Sequence, residues 1–260
     1  MINEQELRQQ IIDACKFLQE KNLIARTWGN VSARLNDKQF IITPSGLSYD
    51  LTKPEDLVIV NIEDCSYDEA QRKPSSEKKV HASAYKLRSD INFIVHTHQH
   101  YASAICAEEK DVILPNGTFV PCARYGMPST GKLQKNCEEV FKNNPSSNIF
   151  LMAKHGVVTF GKTKEEALDN AVTLEKECET LFNKNVPNFS IPSNMKAYLD
   201  DYAQMFPLQE GEDKEAIDLV KKKNAAAMLY SSNTKPLSFF DAKIQHLVYK
   251  MKYSKLKNGG

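Results

Sequence analysis

Apolar residues recur with two different spacings along the chain, and each spacing predicts a different kind of secondary structure. An amphipathic helix is predicted from residue 4 to about residue 22, because apolar residues recur there every three or four positions: Leu7, Ile11, Cys15 and Leu18. The same spacing predicts further helices: one after Glu77, with Val80, Ala84 and Leu87 on its apolar face, and others at 101–106, 133–141 and 163–183.

Short apolar runs and alternating apolar and polar residues predict strands at 31–35, 39–43, 57–62, 92–98, 149–153 and 157–160. The dipeptide Asn116-Gly117 predicts the turn of a further hairpin over 112–121. Several neighbouring strands are joined by only a few residues, which requires antiparallel pairing. The sequence therefore predicts an α/β fold in which a mixed, mostly antiparallel sheet carries helices on its faces.

The sequence beyond residue 190 differs in its pattern, because it contains no run that predicts a strand. Three helices are predicted there, near 194–205, 213–229 and 238–254, joined by turns that contain Pro and Asn. We therefore predict two parts: a unit over 1–190 that holds the sheet, and a helical extension over 191–260. The extension is expected to pack on the first unit or at a subunit interface.

Composition and charge exclude several classes of partner. The 34 basic and 33 acidic residues nearly cancel, which gives no electrostatic reason to expect nucleic acid or a membrane surface as a partner. No apolar run approaches the roughly 18–20 residues of a membrane span, and the first residues lack the features of a signal peptide. A cytoplasmic location is therefore expected.

The cysteines and glycines also exclude some chemistry. Six cysteines are spread without a C-x-x-C pair, so they are expected to be reduced, small apolar residues without a catalytic role. Neither a G-x-G-x-x-G nor a Walker sequence is present, which argues against an enzyme of dinucleotides or nucleoside triphosphates.

Candidate chemistry lies where a buried strand ends, at Ile94-Val95-His96-Thr97-His98. Side chains two residues apart on a strand share a face, so both imidazoles lie on one side, about 7 Å apart along the strand. His155 follows the apolar run 149–153 and also lies at a strand end. Three such histidines predict an open zinc site, because catalytic zinc takes three protein ligands and leaves a fourth position free. The alternative is a pair of partly exposed polar side chains without a metal.

The segment Pro74-Ser75-Ser76-Glu77 precedes a predicted helix. One serine can be an ordinary N-cap, but two serines beside the free amides of a helix start can also bind a phosphate. Glu77 in the first turn is favoured by the helix dipole alone. His81 is predicted to be a buried, hydrogen-bonded core residue, His100 to lie beside the site or at the surface, and His246 to have no role.

Five motifs occur in one order along the chain: Gly29-Asn30-Val31-Ser32, Thr43-Pro44-Ser45-Gly46, Pro74-Ser75-Ser76-Glu77, His96-Thr97-His98 and Lys154-His155-Gly156. In this order the chain resembles the class II aldolase/adducin family over roughly residues 4–185, and most closely its fuculose-1-phosphate aldolases. The resemblance implies a three-layer α/β/α fold around a central, mostly antiparallel sheet, and assembly as a homotetramer.

The resemblance also assigns roles to individual residues. It makes His96, His98 and His155 the ligands of Zn²⁺, although three imidazoles also accept Mn²⁺ or Co²⁺. It makes Glu77 the general acid and base. It places a phosphate pocket at the following residues: Thr27, Gly29, Asn30, Ser45, Gly46, Ser75 and Ser76. The implied substrate is a phosphorylated sugar, a ketose 1-phosphate that is cleaved to dihydroxyacetone phosphate and an aldehyde.

Other activities within the resemblance stay open. Pentulose-5-phosphate 4-epimerases typically carry Asp where this chain has Glu77, so the glutamate favours the aldolases. Dehydratases and decarboxylases of sugar phosphates use the same metal and an acidic residue. A non-catalytic, adducin-like scaffold is an alternative of another class, and it predicts that the metal ligands are lost.

The tyrosine that aldolases use at the aldehyde is not identified by position. Phe206 is the closest match but lacks a hydroxyl, so Tyr202 is the candidate. The segment 108–120 differs from the aldolase pattern, and the chain beyond about 210 extends past it. The aldehyde half of the substrate is therefore not fixed by the sequence.

Overall fold

A computed structural model describes residues 3–24, 28–126 and 128–185 of the chain. Its α-helices are α1 (Glu4–Glu20), α2 (Lys78–Leu87), α3 (His100–Ile105), α4 (Gly131–Asn143) and α5 (Lys164–Asn185). Its strands are β1 (Asn30–Arg34), β2 (Gln39–Ile42), β3 (Val58–Asn61), β4 (Phe93–Thr97), β5 (Val112–Ile113), β6 (Phe119–Val120), β7 (Cys122–Ala123), β8 (Ile149–Met152) and β9 (Gly156–Gly161). The elements predicted from spacing within these residues are therefore confirmed, with shifts of a few residues at their ends.

The central sheet has seven strands in the order β3-β2-β1-β4-β9-β8-β7, and β5 and β6 form a separate hairpin. Every neighbouring pair in the large sheet is antiparallel except β7 with β8. This confirms the predicted mixed, mostly antiparallel sheet. Strand β4 occupies the middle position, where Asn30 of β1 and Val158 of β9 lie directly opposite His96.

Helices cover both faces of the sheet, because successive strand residues point to opposite sides. On one face α2 and α4 pack on a core that contains Ile94, Phe150 and Phe160. On the other face α1 and the first half of α5 pack on a core that contains Phe93 and Val95. The rest of α5 packs with α3 in a third cluster. The predicted arrangement of helix, sheet and helix layers is confirmed.

The start of α2 differs from its prediction. Glu77 is the N-cap residue rather than a first-turn residue, and its side chain makes no capping bond. The hydroxyl of Ser75 instead accepts a hydrogen bond from the amide of Glu77 at 3.3 Å. Ser75 therefore bonds to an amide at the helix start without being the N-cap residue, and the Glu77 side chain does not cap the helix.

The apolar face of α2 is also shorter than predicted. Val80 and Ala84 are buried as expected, but Leu87 is 38% exposed because the helix ends at that residue. Tyr85 is buried in its place. Its hydroxyl lies in the interior, 2.9 Å from that of Ser32.

Several predictions fall on residues that are not described. The boundary at residue 190, the three C-terminal helices and His246 lie outside the described residues and stay predictions. Within the described part of the chain, no helix has both the length and the apolar character that a membrane crossing requires. All six cysteines are free thiols, four of them buried and two half-buried.

Candidate active site

Three histidines converge at one end of the central strands. His96 is the last but one residue of β4 and His98 lies just past its end, so both imidazoles leave the same face. His155 is the last residue of the turn that joins β8 to β9, in which Lys154 has a φ of 55°. The ligand atoms of the three rings all lie within 4.8 Å of one another, and all three residues are buried. The convergence predicted from the sequence is present.

The hydrogen bonds of His96 show why a cation fits here. Its Nδ1 lies 2.8 Å from the carbonyl oxygen of Val157, which can only accept, so the ring proton is on Nδ1. The Nε2 lone pair then faces the Nε2 of His98 at 3.0 Å and Oε2 of Glu77 at 3.0 Å. Lone pairs this close repel each other unless a hydrogen atom or a metal ion lies between them.

The spacing also suits a metal ion. Two nitrogens at 2.0–2.1 Å from a tetrahedral zinc lie about 3.4 Å apart, near the separation of these two imidazole nitrogens. A neutral imidazole that donates from Nδ1 to a carbonyl and offers Nε2 is the usual form of a metal ligand. His96, His98 and His155 therefore fit a bound divalent ion.

A buried carboxylate stands beside the three rings. Glu77 approaches from the start of α2, with Oε2 at 3.0 Å from His96 and Oε1 at 3.2 Å from Nε2 of His155. Burial raises the pKa of Glu77, but the close contacts with His155 and His96 outweigh that effect and hold its pKa well below the usual range. The group is ionised and adjoins the histidine cluster, where it can exchange protons.

Close backbone packing fixes the position of the rings. A Cβ on Gly156 would lie 2.5 Å from the carbonyl oxygen of Thr97 and 3.3 Å from Cε1 of His96. Gly29 has a φ of 99°, and a Cβ there would lie 2.6 Å from the carbonyl oxygen of His96. Both glycines allow a neighbouring segment of the backbone to approach the end of β4, where the side chains of His96 and His98 project.

We expect Gly156→Ala to reduce both metal binding and stability. The added methyl group would push β9 away from β4 and displace the rings of His96 and His98, with a loss of roughly 1–3 kcal/mol in the free energy of unfolding. Metal analysis and denaturant unfolding test this. Gly131→Ala is the matched control, because a Cβ at that helical position meets nothing within 4 Å. Equal behaviour of the two variants would contradict the packing argument.

The predicted phosphate loops lie side by side. Pro44 pairs with Pro74 in an isolated bridge, the amide of Ser45 donates to the carbonyl of Lys73 at 2.8 Å, and the amide of Ser75 donates to the carbonyl of Thr43 at 3.0 Å. A third segment reaches Ser76, whose hydroxyl accepts a bond from Ser129 at 2.8 Å. These contacts bring together turns that are about 30 residues apart in sequence.

The other predicted site residues have mixed outcomes. Asn30 is buried, and its side chain bonds with Glu77 and with His81, so it lies under the carboxylate. Its assignment to a phosphate stays a prediction.

Thr27 and Tyr202 lie outside the described residues. His81 is a buried, hydrogen-bonded residue, as predicted. His100 is half-buried at the start of α3 and stacks on Tyr101.

Two features of the site were not anticipated from the sequence. Trp28 places its ring 5.9 Å from that of His98. Behind the cluster, the carboxylate of Glu175 accepts bonds from the amides of Tyr101 and Ala102 at 2.7 and 3.0 Å, so it caps α3 from a neighbouring helix. The spacing of apolar residues does not predict this cap of α3 by Glu175, because α5 and α3 are far apart in sequence.

Known proteins match the part of the chain that carries this site. A family model described as Class II Aldolase and Adducin N-terminal domain matches residues 9–182. A Mycoplasma pneumoniae protein named probable L-ribulose-5-phosphate 4-epimerase is 33% identical over 195 residues, covering 68% of this chain and 80% of that protein. An L-fuculose phosphate aldolase of Haemophilus influenzae is 34% identical over 187 residues, covering 69% of this chain and 82% of the relative.

A solved structure gives the same result for the fold. An L-fuculose 1-phosphate aldolase superposes with a TM-score of 0.61 at 25% sequence identity, covering 76% of this chain and 96% of that one. The residues matched by the family model include all three histidines of the cluster and Glu77.

Proposed function

The chain belongs to the class II aldolase and adducin family, and from that premise we propose that it is a metal-dependent aldolase of a ketose 1-phosphate. The products would be dihydroxyacetone phosphate and an aldehyde. One observation carries the proposal: three buried imidazoles converge beside a buried carboxyl group. The relative named as an L-fuculose phosphate aldolase supports it.

The proposed metal is zinc, held by His96, His98 and His155. When bound, a divalent ion supplies Lewis-acid stabilisation of the negative charge that develops as the C3–C4 bond of the sugar breaks. Three imidazoles also accept manganese or cobalt. Elemental analysis of the purified protein identifies the native ion.

Glu77 is proposed to move the proton at the carbon that the broken bond leaves behind. In cleavage the hydroxyl at C4 loses its proton as the aldehyde forms, and C3 must gain one. The Glu77 carboxylate would first take up a proton from water and would then deliver it to C3, and in the synthetic direction the carboxylate would remove that proton. The group that exchanges a proton with the aldehyde oxygen is predicted to be a tyrosine, with Tyr202 as the candidate.

The substrate phosphate is proposed to bind on the adjacent loops at 45–46 and 75–76, with residues 27–30 beside them. The backbone contacts between these two loops support this placement, since they bring the turns at 43–46 and 73–75 together near the start of α2. This proposed phosphate site adjoins Glu77, because Ser75 is two residues before it and accepts a hydrogen bond from its amide.

We expect Ser45→Ala to raise KM for the ketose 1-phosphate by about 10–100-fold, because a hydrogen bond to a charged group contributes roughly 1.5–3 kcal/mol. The value of kcat should change much less, since the serine contacts a part of the substrate that does not react. Steady-state kinetics measure both constants. Ser146→Ala, at an exposed serine between α4 and β8, is the control. An unchanged KM in Ser45→Ala would exclude this residue from the phosphate pocket.

The direct test of the activity is a panel of ketose phosphates with a coupled assay for dihydroxyacetone phosphate. The metal-loaded protein should release triose phosphate from at least one ketose 1-phosphate and lose this activity after chelation. No release from any ketose 1-phosphate would contradict the proposal.

A pentulose-5-phosphate 4-epimerase is the second candidate, because one relative at 33% identity carries that name. The same panel separates the two, since an epimerase interconverts pentulose 5-phosphates without releasing triose phosphate. A non-catalytic scaffold is disfavoured, because the three histidines and Glu77 are all present and brought together. We also propose a homotetramer, which light scattering on the purified protein tests.

A further inference from the structure

A chain of buried polar side chains runs from Glu77 into the interior of the protein. Nδ2 of Asn30 lies 3.2 Å from Oε2 of Glu77, and Oδ1 of Asn30 lies 2.5 Å from Nε2 of His81. On the other side of the ring, Nδ1 of His81 lies 2.7 Å from the hydroxyl of Ser32, which lies 2.9 Å from the hydroxyl of Tyr85. All five residues are buried.

The spacing of the sequence explains why these groups meet. Asn30 and Ser32 are two residues apart on β1 and share a face, while Glu77, His81 and Tyr85 are four residues apart and share one side of the α2 segment. Two residues of strand and four residues of helix both rise about 6–7 Å. The polar side chains of β1 and of the α2 segment are therefore spaced at equal intervals. They alternate along the row of hydrogen bonds.

The hydrogens of this row of polar groups can be assigned from its geometry. Nδ2 of Asn30 donates to Oε2 of Glu77, and its carbonyl oxygen, which only accepts, faces Nε2 of His81. Nε2 of His81 must then carry the ring proton. Burial lowers the pKa of His81 to about 3, so the ring is neutral and Nδ1 is bare. Ser32 donates to that nitrogen and accepts from Tyr85.

We propose that His81 is a positioning residue for Glu77, which acts by locking the amide of Asn30 with its nitrogen toward the carboxylate. This inference rests on the proposed function, in which Glu77 moves the proton. With His81 in the Nε2–H form, the flipped amide would place two hydrogen-bond donors against each other at the ring. The same flip would turn the oxygen of Asn30 toward the carboxylate, where two acceptors repel. The orientation of Glu77 is thus set, through Asn30, by His81, which lies outside the predicted phosphate pocket.

A matched pair of variants separates positioning from packing. His81→Gln keeps an N–H donor for Asn30, whereas His81→Met has a side chain of similar length without a donor. We expect His81→Met to lower kcat by about 10–100-fold with KM and metal content little changed, and His81→Gln to recover most of the loss. Tyr85→Phe leaves the bond between Ser32 and His81 intact and should change kcat by less than about threefold.

The tautomer provides a readout that does not need activity. Nitrogen-15 NMR of the full-length protein labelled at histidine should show the His81 proton on Nε2 and a bare Nδ1, with the resonance assigned from its absence in His81→Gln. A proton on Nδ1, or an equal loss of kcat in the Gln and Met variants, would overturn the inference. Failure of the wild-type protein to cleave any ketose 1-phosphate is a different result. It would contradict the proposed function, and the tautomer would still decide whether His81 holds Asn30 in place.

Discussion

Replacing Glu77 with glutamine is expected to lower kcat for cleavage of a ketose 1-phosphate by about 10²–10⁴-fold, the range typical for loss of a positioned general acid or base. Glutamine has the size of glutamate and can still bond with Asn30, but it cannot carry a proton between substrate atoms. Because the three imidazoles are untouched, the bound metal should stay near one ion per chain. Steady-state kinetics and elemental analysis of the same preparation measure both effects.

The control for this substitution is Glu20→Gln, at an exposed position at the end of α1. It removes one negative charge from the surface and should leave kcat unchanged. A Glu77→Gln enzyme that retains kcat within about threefold would show that another group moves the proton. Loss of metal in this variant would instead identify Glu77 as a required metal ligand, contrary to the role proposed here.

Replacing His155 with alanine is expected to abolish stoichiometric metal binding and to reduce activity by about 10³-fold or more. Two imidazoles do not make the three-ligand set of an open zinc site, and the stabilisation that a metal gives a developing charge amounts to several kcal/mol. The variant should also lose the rise in melting temperature that added metal gives the wild-type protein, since a ligand stabilises only the folded state that binds it.

His100→Ala is the matched control, because His100 lies two residues beyond His98 and its ring stacks on Tyr101 outside the cluster. This variant should keep the metal and its effect on melting. Retention of one tightly bound ion in His155→Ala would show that the cation lies elsewhere in the protein.

The positions of the three histidines could be predicted from the sequence for a simple physical reason. Strand residues alternate between faces, so His96 and His98 had to share a side wherever β4 was placed. His155 was predicted at a strand end from its neighbouring apolar run. The sequence did not specify that β4 pairs with β9, yet that pairing brings His155 to the cluster. Pairing of strands about 60 residues apart leaves no local pattern.

The environment of Glu77 could be predicted only in part. A carboxylate at a helix start is stabilised by the helix dipole, so its presence there did not distinguish a structural role from a catalytic one. What distinguishes them is the packing of α2 against β1 and β4, which turns the side chain away from a capping position toward His96 and His155. This is a tertiary contact and overrides the local preference.

Other misses have similarly local causes. Strand β7 consists of only Cys122 and Ala123, which is too short to show a period, and it lies just beyond the hairpin predicted over 112–121. The motif assigns Asn30 to the phosphate pocket, and that assignment stays a prediction; its buried side chain bonds with Glu77 and His81. A comparison of the spacings of 30 and 32 with those of 77, 81 and 85 would have indicated that these rows meet.

X-ray absorption spectroscopy of the zinc-loaded protein tests the central claim most directly, because it reports the atoms around the ion without requiring a substrate. The account predicts one ion per chain with three imidazole nitrogens at about 2.0–2.1 Å. A first shell that contains sulfur at about 2.3 Å would place the ion on cysteines instead, and would contradict a metal centre built from His96, His98 and His155.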